Sequence, residues 1–145
     1  MFPDARNLFC DKQKVTATAA STNVIDLGPA QGTVGRNLNP AVKVFAQVVT
    51  GADTTTDSSL TSIACALQGS NAENFASPVV VANSGAVAAA NLVQGLQMLK
   101  NVPYLVDEAF RYYRLYFTVV GTATSGIEVT GGILKDGVDH ITTAY

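Results

Sequence analysis

From Phe110 the chain reads Phe-Arg-Tyr-Tyr-Arg-Leu-Tyr-Phe-Thr-Val-Val, and this run limits the fold more than any other. Along a strand, successive side chains point to opposite faces. Phe110, Tyr112, Arg114, Tyr116, Thr118 and Val120 therefore share one face, and Arg111, Tyr113, Leu115, Phe117 and Val119 share the other. Both sets are largely apolar, which predicts a strand in the middle of a covered sheet. The period of two returns at 14–18, 23–27, 42–49, 60–68 and 127–134, with Gly, Asn, Asp and Pro between the runs. Strands 42–49 and 60–68 are expected to form a hairpin about the Thr/Asp-rich turn at 53–59. Segment 77–98 holds helix-forming alanines, but Gly85 and Gly95 bracket them too tightly for a typical helix, so two short strands are expected. Gly131 and Gly132, inside the last strand, predict a bulge or a close backbone approach. The sum is an all-β chain, a jelly-roll-like antiparallel β-sandwich of about eight strands.

The 145 residues fit one domain. We divide them into an N-terminal arm (1–12), the jelly-roll-like β domain (13–136) and a C-terminal tail (137–145). Charged residues are only 14% of the chain and the formal net charge is −2; about 25% charged is usual for soluble domains. With 48% hydrophobic residues, many solvent-facing positions must be Thr, Ser, Asn, Gln, Ala or Gly. Such a surface suits close contact, because desolvating Lys and Glu at the centre of an interface is costly. It does not suit tracking a phosphate backbone, so nucleic acid is not an expected partner. Cys10 and Cys65 lie far apart in the chain and outside any Cys/His cluster, which suggests neither a disulfide framework nor a zinc site and fits a reducing compartment. The first residues lack a basic region followed by an apolar run, so secretion is not expected. The apolar run at 78–99 is broken by Asn83, Ser84, Gly85, Asn91, Gln94 and Gly95, and no membrane span is expected.

The search for chemistry is mostly negative. His140 is the only histidine, so any Ser-His, Cys-His or His-metal arrangement would run through one residue of a polar tail. Gly32-Thr-Val-Gly35 lacks the Lys-Ser/Thr of a phosphate loop and reads as a plain loop. Asp53 and Asp57 flank three threonines; calcium sites converge more carboxylates than this, so a solvated hairpin tip is the stronger reading. Asp107 and Glu108 are adjacent, whereas an acid/base pair is spaced around its substrate. Tyr104, Tyr112, Tyr113 and Tyr116, with Arg111 and Arg114, have the composition of a stacking platform for sugars or bases. An aromatic strand in a sandwich more often fills the core. No enzyme activity, cofactor or metal is expected.

Two segments suggest contact with other proteins. Phe2, Pro3, Leu8 and Phe9 precede the first convincing strand, so the arm either packs on a neighbour or folds back as an edge strand of its own sheet. Residues 28–40 hold Gly28, Pro29, Gly32, Gly35, Asn37, Asn39 and Pro40, which predicts a long surface loop carrying Arg36. Phe2, Pro3, Leu8, Phe9, Arg36 and Asn37 are the candidate interface residues.

Ala17-Thr-Ala-Ala-Ser-Thr-Asn-Val-Ile-Asp-Leu-Gly28, Ala66-Leu-Gln-Gly-Ser-Asn71 leading to Phe75-Ala-Ser-Pro78, Ser84-Gly-Ala-Val87 with Leu92 and Gly95, Arg111-Tyr-Tyr-Arg-Leu-Tyr-Phe-Thr-Val119 and Gly132-Ile-Leu-Lys-Asp136 follow one another in the chain. In this order and spacing the chain resembles the capsid cement (decoration) proteins of short-tailed, double-stranded DNA bacteriophages. The resemblance runs from about Leu8 to Asp136 and is weakest in the 28–40 loop and the tail. It implies a jelly-roll virion protein on the outer surface of an icosahedral head, assembled in the bacterial host cytoplasm. Its partners would be the major capsid protein and itself, as a homodimer with a trimer as the alternative. A carbohydrate-binding jelly roll on a phage particle is the second reading, with the aromatic strand as its platform.

Overall fold

The structure, a computed structural model, describes residues 8–26, 43–103 and 110–134. Among these residues ten strands run Leu8–Val15 (β1), Ala19–Ala20 (β2), Ile25–Asp26 (β3), Lys43–Thr50 (β4), Leu60–Ser70 (β5), Val79–Asn83 (β6), Val87–Ala88 (β7), Gln97–Pro103 (β8), Tyr112–Gly121 (β9) and Ile127–Leu134 (β10). One sheet has the order β1-β10-β4-β8; the other has β2-β9-β5-β6, with β3 also on β9 and β7 also on β5. All the pairings are antiparallel. β2 and β3 lie along one edge of β9, and β6 and β7 along one edge of β5, so each pair acts as one interrupted strand. Merging each pair leaves eight strands in two sheets of four, ordered 1-8-3-6 and 2-7-4-5 in chain numbering, which is jelly-roll connectivity.

The aromatic strand is central, as its alternation predicts. β9 pairs with β5 from Leu60↔Gly121 to Ser70↔Tyr112 on one side and with β2 and β3 on the other. Tyr113, Leu115 and Phe117 point into the sandwich and are at most 1% exposed. They meet Ile63, Cys65 and Leu67 of β5, and Val44, Ala46, Val48 and Val129 of the opposite sheet, in one core. Close packing of two sheets requires small residues where a backbone comes near. Gly131 is such a place, since a Cβ built there would lie 2.5 Å from Leu115 Cδ1 and 3.1 Å from the Phe45 carbonyl oxygen. Phe110 departs from the expected alternation. It precedes the strand, its ring occupies the space beside Gly69 where a Cβ would go, and it meets Tyr113 edge to face at 6.2 Å.

The expected hairpin between 42–49 and 60–68 does not form. β4 belongs to one sheet and β5 to the other, and the intervening loop crosses between layers. Each strand already has two ladder partners in its own sheet, and β4 and β5 bury their inward residues against each other across the core. The short strands expected within 77–98 are β6 and β7, followed by a 3₁₀ turn at Ala89–Asn91.

Of the two readings of the arm, its last residues follow the second. Leu8–Val15 is an edge strand on β10, and Phe9 and Cys10 are 0% exposed. The register slips between Leu8 and Cys10 and again between Cys10 and Gln13, placing extra residues on β1. Lys12, at φ 51°, sits in the second bulge and donates its N–H to Thr130 Oγ1 at 2.9 Å. Such bulges let two consecutive side chains turn inward.

Two outcomes follow. Phe9→Ala should cost about 3–5 kcal/mol in chemical denaturation, the usual penalty for emptying a buried aromatic site, whereas a purely external arm residue would be near neutral. Both cysteines are free and buried, and burial pushes the Cys10 thiol up to about 12 and the Cys65 thiol higher still. A thiol-specific disulfide reagent should leave both unmodified in the native protein and titrate two thiols after unfolding.

Candidate interaction face

Alternation on β9 and β5 also defines an outer face. Ladder pairing sets Tyr112 beside Ser70, Arg114 beside Gln68, Tyr116 beside Ala66, Thr118 beside Ala64 and Val120 beside Ser62. Across the next ladders, Asp26 and Ala20 flank Tyr112 and Tyr116, while Val80 and Asn83 flank Gln68 and Ala66. The floor on β5 is therefore Ser, Ala, Ala, Gln and Ser, and charge on the face comes from the margin of β9 and β3. Tyr113, Leu115 and Phe117 fill the core as an aromatic strand in a sandwich does, while the even residues lie on the outer face, with Tyr112 buried and Arg114 and Tyr116 half-buried.

The row is held by cation–π contacts. The Arg114 guanidinium lies 4.2 Å from the Phe75 ring centroid and 5.3 Å from that of Tyr116, and its Nε donates to Gln68 Oε1 at 2.8 Å. Phe75 is 5% exposed and sits at φ 52°, a left-handed conformation that is unfavourable for an aromatic residue. The 71–77 turn enforces it. Ala72 N–H donates to Ser70 Oγ, Phe75 N–H to the Ala72 carbonyl, Ala76 N–H to Asn74 Oδ1, and Arg111 N–H to Asn71 Oδ1. Sequence reasoning missed Phe75 as a member of this face. Its signal was an aromatic residue between Asn71 and Asn74, side chains that favour such turns.

Arg111 is committed locally. It stacks 4.9 Å from the Tyr112 centroid and grips Asp26 through Nε (2.9 Å) and a terminal nitrogen (3.2 Å). The hydrogen bond with Asp26 raises its pKa further, aided by the charges of Asp26, Tyr112 and Glu73. The two side chains are 38% and 45% exposed, so solvent and salt screen the pair and it orients more than it stabilises.

The remaining candidates separate clearly. Leu8 is half-buried at the start of β1 and Phe9 lies in the core. Phe2, Pro3, Arg36, Asn37, Tyr104, Asp107, Glu108 and His140 lie outside the described residues. Asp53 caps its own loop, accepting from the N–H groups of Thr55 and Thr56 and from the Thr56 hydroxyl. Asp57 was expected at a solvated tip, and the structure corrects this, for it is 2% exposed. Its Oδ1 accepts the N–H groups of Thr124 (2.6 Å) and Ser125 (3.0 Å), and its Oδ2 accepts that of Gly126 (2.7 Å). The carboxylate thus ties the β4–β5 crossover to the turn between β9 and β10. That role uses its oxygens, and among the described residues no group of three or more His, Cys, Asp or Glu is placed to hold a metal ion. No helix among them is long and apolar enough to cross a membrane.

The fold and this face together define a jelly-roll β-sandwich with a low-charge outer sheet, a class shared by capsid and lectin domains. A model of the Bbp16 family matches residues 9–133, which takes in nearly all of every described strand, and the chain belongs to that family. Among curated proteins, none is significantly similar to it.

The N–H groups of Thr124 and Ser125 hold the Asp57 carboxyl below its ordinary 3.8, with help from Gly126 and the Lys14 charge and against the cost of burial. A depressed carboxyl stabilises the fold above its unfolded pKa and loses that contribution as pH falls through the folded value. Asp57→Asn, which turns an amide donor toward one of these N–H groups, should therefore lower the denaturation midpoint at neutral pH. The gap from wild type should narrow on acidification below about pH 4. Calcium should leave the melting temperature of both proteins unchanged.

Proposed function

We propose that this chain is a structural virion protein. In this reading it is a cement (decoration) protein that binds the outer surface of an icosahedral phage capsid, bridges major capsid subunits and stabilises the head. The observation that carries the reading is the outer face of β9 and β5. Its floor lacks Lys, Glu and Asp, its row of Tyr112, Arg114 and Tyr116 is held rigid by stacking, and Tyr and Arg are the residues that most often anchor protein interfaces. A low-charge face of this kind binds by area and complementarity. The protein would act as a homodimer, with a trimer as the alternative, so that two modest contacts reinforce one another through effective concentration.

A second reading, a carbohydrate-binding jelly roll on a phage particle, draws on the same tyrosines, because sugar rings stack on outward aromatic side chains. It favours Tyr116, which is only partly buried, over the alanine floor.

Light scattering followed by sedimentation with matched, undecorated shells separates the two. Cementing predicts a small oligomer that co-sediments to a saturable stoichiometry. Ala64→Glu, which places a charge on the floor, should weaken shell binding about tenfold or more by forcing its desolvation while leaving the β spectrum intact. Retention on a glycan matrix with no shell binding would favour the second reading.

A further inference from the structure

We propose that Arg114 is a preformed receptor for a carboxylate, an Asp or Glu side chain on the surface of a partner protein docked on the outer face of β9 and β5. The inference rests on the docking reading above and names the chemistry of its contact.

Two arginines three residues apart on the same run have opposite fates. Arg111 closes a two-point pair on Asp26 within its own chain. Arg114 is offered a neutral amide instead. Its Nε is pinned by Gln68, whose side chain is 8% exposed, and its plane lies against Phe75 and Tyr116. Among the described residues no carboxylate lies within ion-pair distance of it, and its terminal nitrogens have no protein acceptor. Stacking and the Nε bond remove most of the rotamer freedom that a long arginine otherwise loses on binding. What stays open is the pair of terminal N–H groups, the edge that matches a carboxylate in two-point geometry. The arrangement is built at a cost, since the turn that delivers Phe75 holds it in a left-handed conformation. Charge complementarity therefore selects an acidic group. The neighbours beside it on β5, Ser62, Ala64, Ala66 and Ser70, carry no charge, and the carboxylate would come from the protein surface that the docking reading places over this face.

The test begins with the full chain, nitrogen-15 labelled, titrated with sodium acetate against sodium chloride at equal ionic strength. The Arg114 Nε–Hε resonance, identified by its loss in Arg114→Lys, should shift saturably with acetate, and that of Arg111 should not. Equal responses from both arginines, or none beyond the chloride control, would overturn the receptor. In shell sedimentation, Arg114→Gln should weaken binding about tenfold or more, and Arg114→Lys should fail to restore it because an ammonium cannot make the two-point contact. Shell binding by Arg114→Gln equal to wild type would also overturn the proposal. Should wild-type protein ignore shells altogether, the docking reading fails while the acetate titration still decides the receptor. A shift of Arg114 with alginate at lower carboxylate concentration than with acetate, together with retention on alginate resin, would replace the protein partner by an acidic glycan.

Discussion

The full-length pairing of β5 with β9 is the constraint on which the rest of the molecule depends. It is the longest ladder in the structure, and it fixes which side chains face inward on both strands at once. A slip of one residue would send Tyr113, Leu115 and Phe117 to solvent and bring Arg114 into the core. The penalty for burying an unpaired guanidinium makes that register unreachable. The same register that builds the core therefore also builds the outer row, and the candidate face is a by-product of the strongest folding constraint. Even the ends of the ladder serve both layers, because Phe110 packs over Gly69 on the core side while Arg111, one residue later, ties the 71–77 turn.

Much of this was legible in the sequence. The central place of β9, the two short strands after residue 77, the close approach at Gly131 and a strand count of eight followed from alternation and turn chemistry, whereas the apolar character of both faces of β9 did not mean a second covering layer. The errors have a common physical origin. Adjacent strands in sequence pair most often, so β4 and β5 read as a hairpin, but each is paired on both sides within its own sheet, and the crossover between them is tied by Asp57 to backbone partners almost seventy residues away. No local pattern distinguishes a carboxylate that faces water from one that caps a distant turn. Phe9 was hidden for a related reason. Two bulges break the alternation of β1, so its polar stretch from Asp11 to Lys14 disguised a strand whose first residues are core. The candidate face was half visible: the arginines and tyrosines were singled out, whereas Phe75 reached them only through a left-handed turn.

Two of the described edges of the sandwich handle the problem of unpaired strand edges differently. β1, at the edge of its sheet, carries two bulges and Asp11, Lys12 and Lys14, devices that stop a second chain from adding to a ladder. β6, at the edge of the other sheet, has the sequence Val-Val-Val-Ala-Asn, with no charge and with Val79 and Val80 about half exposed at 48% and 53%. Its one irregularity lies at Leu67/Gln68, on the side that pairs with β5. Charged residues on the edges include Asp26 of β3 and Lys100 of β8 as well as those of β1, which leaves β6 as an edge strand without charge. That edge belongs to the same sheet as the stacked arginine row, so an edge open to strand addition and the candidate face lie on one layer.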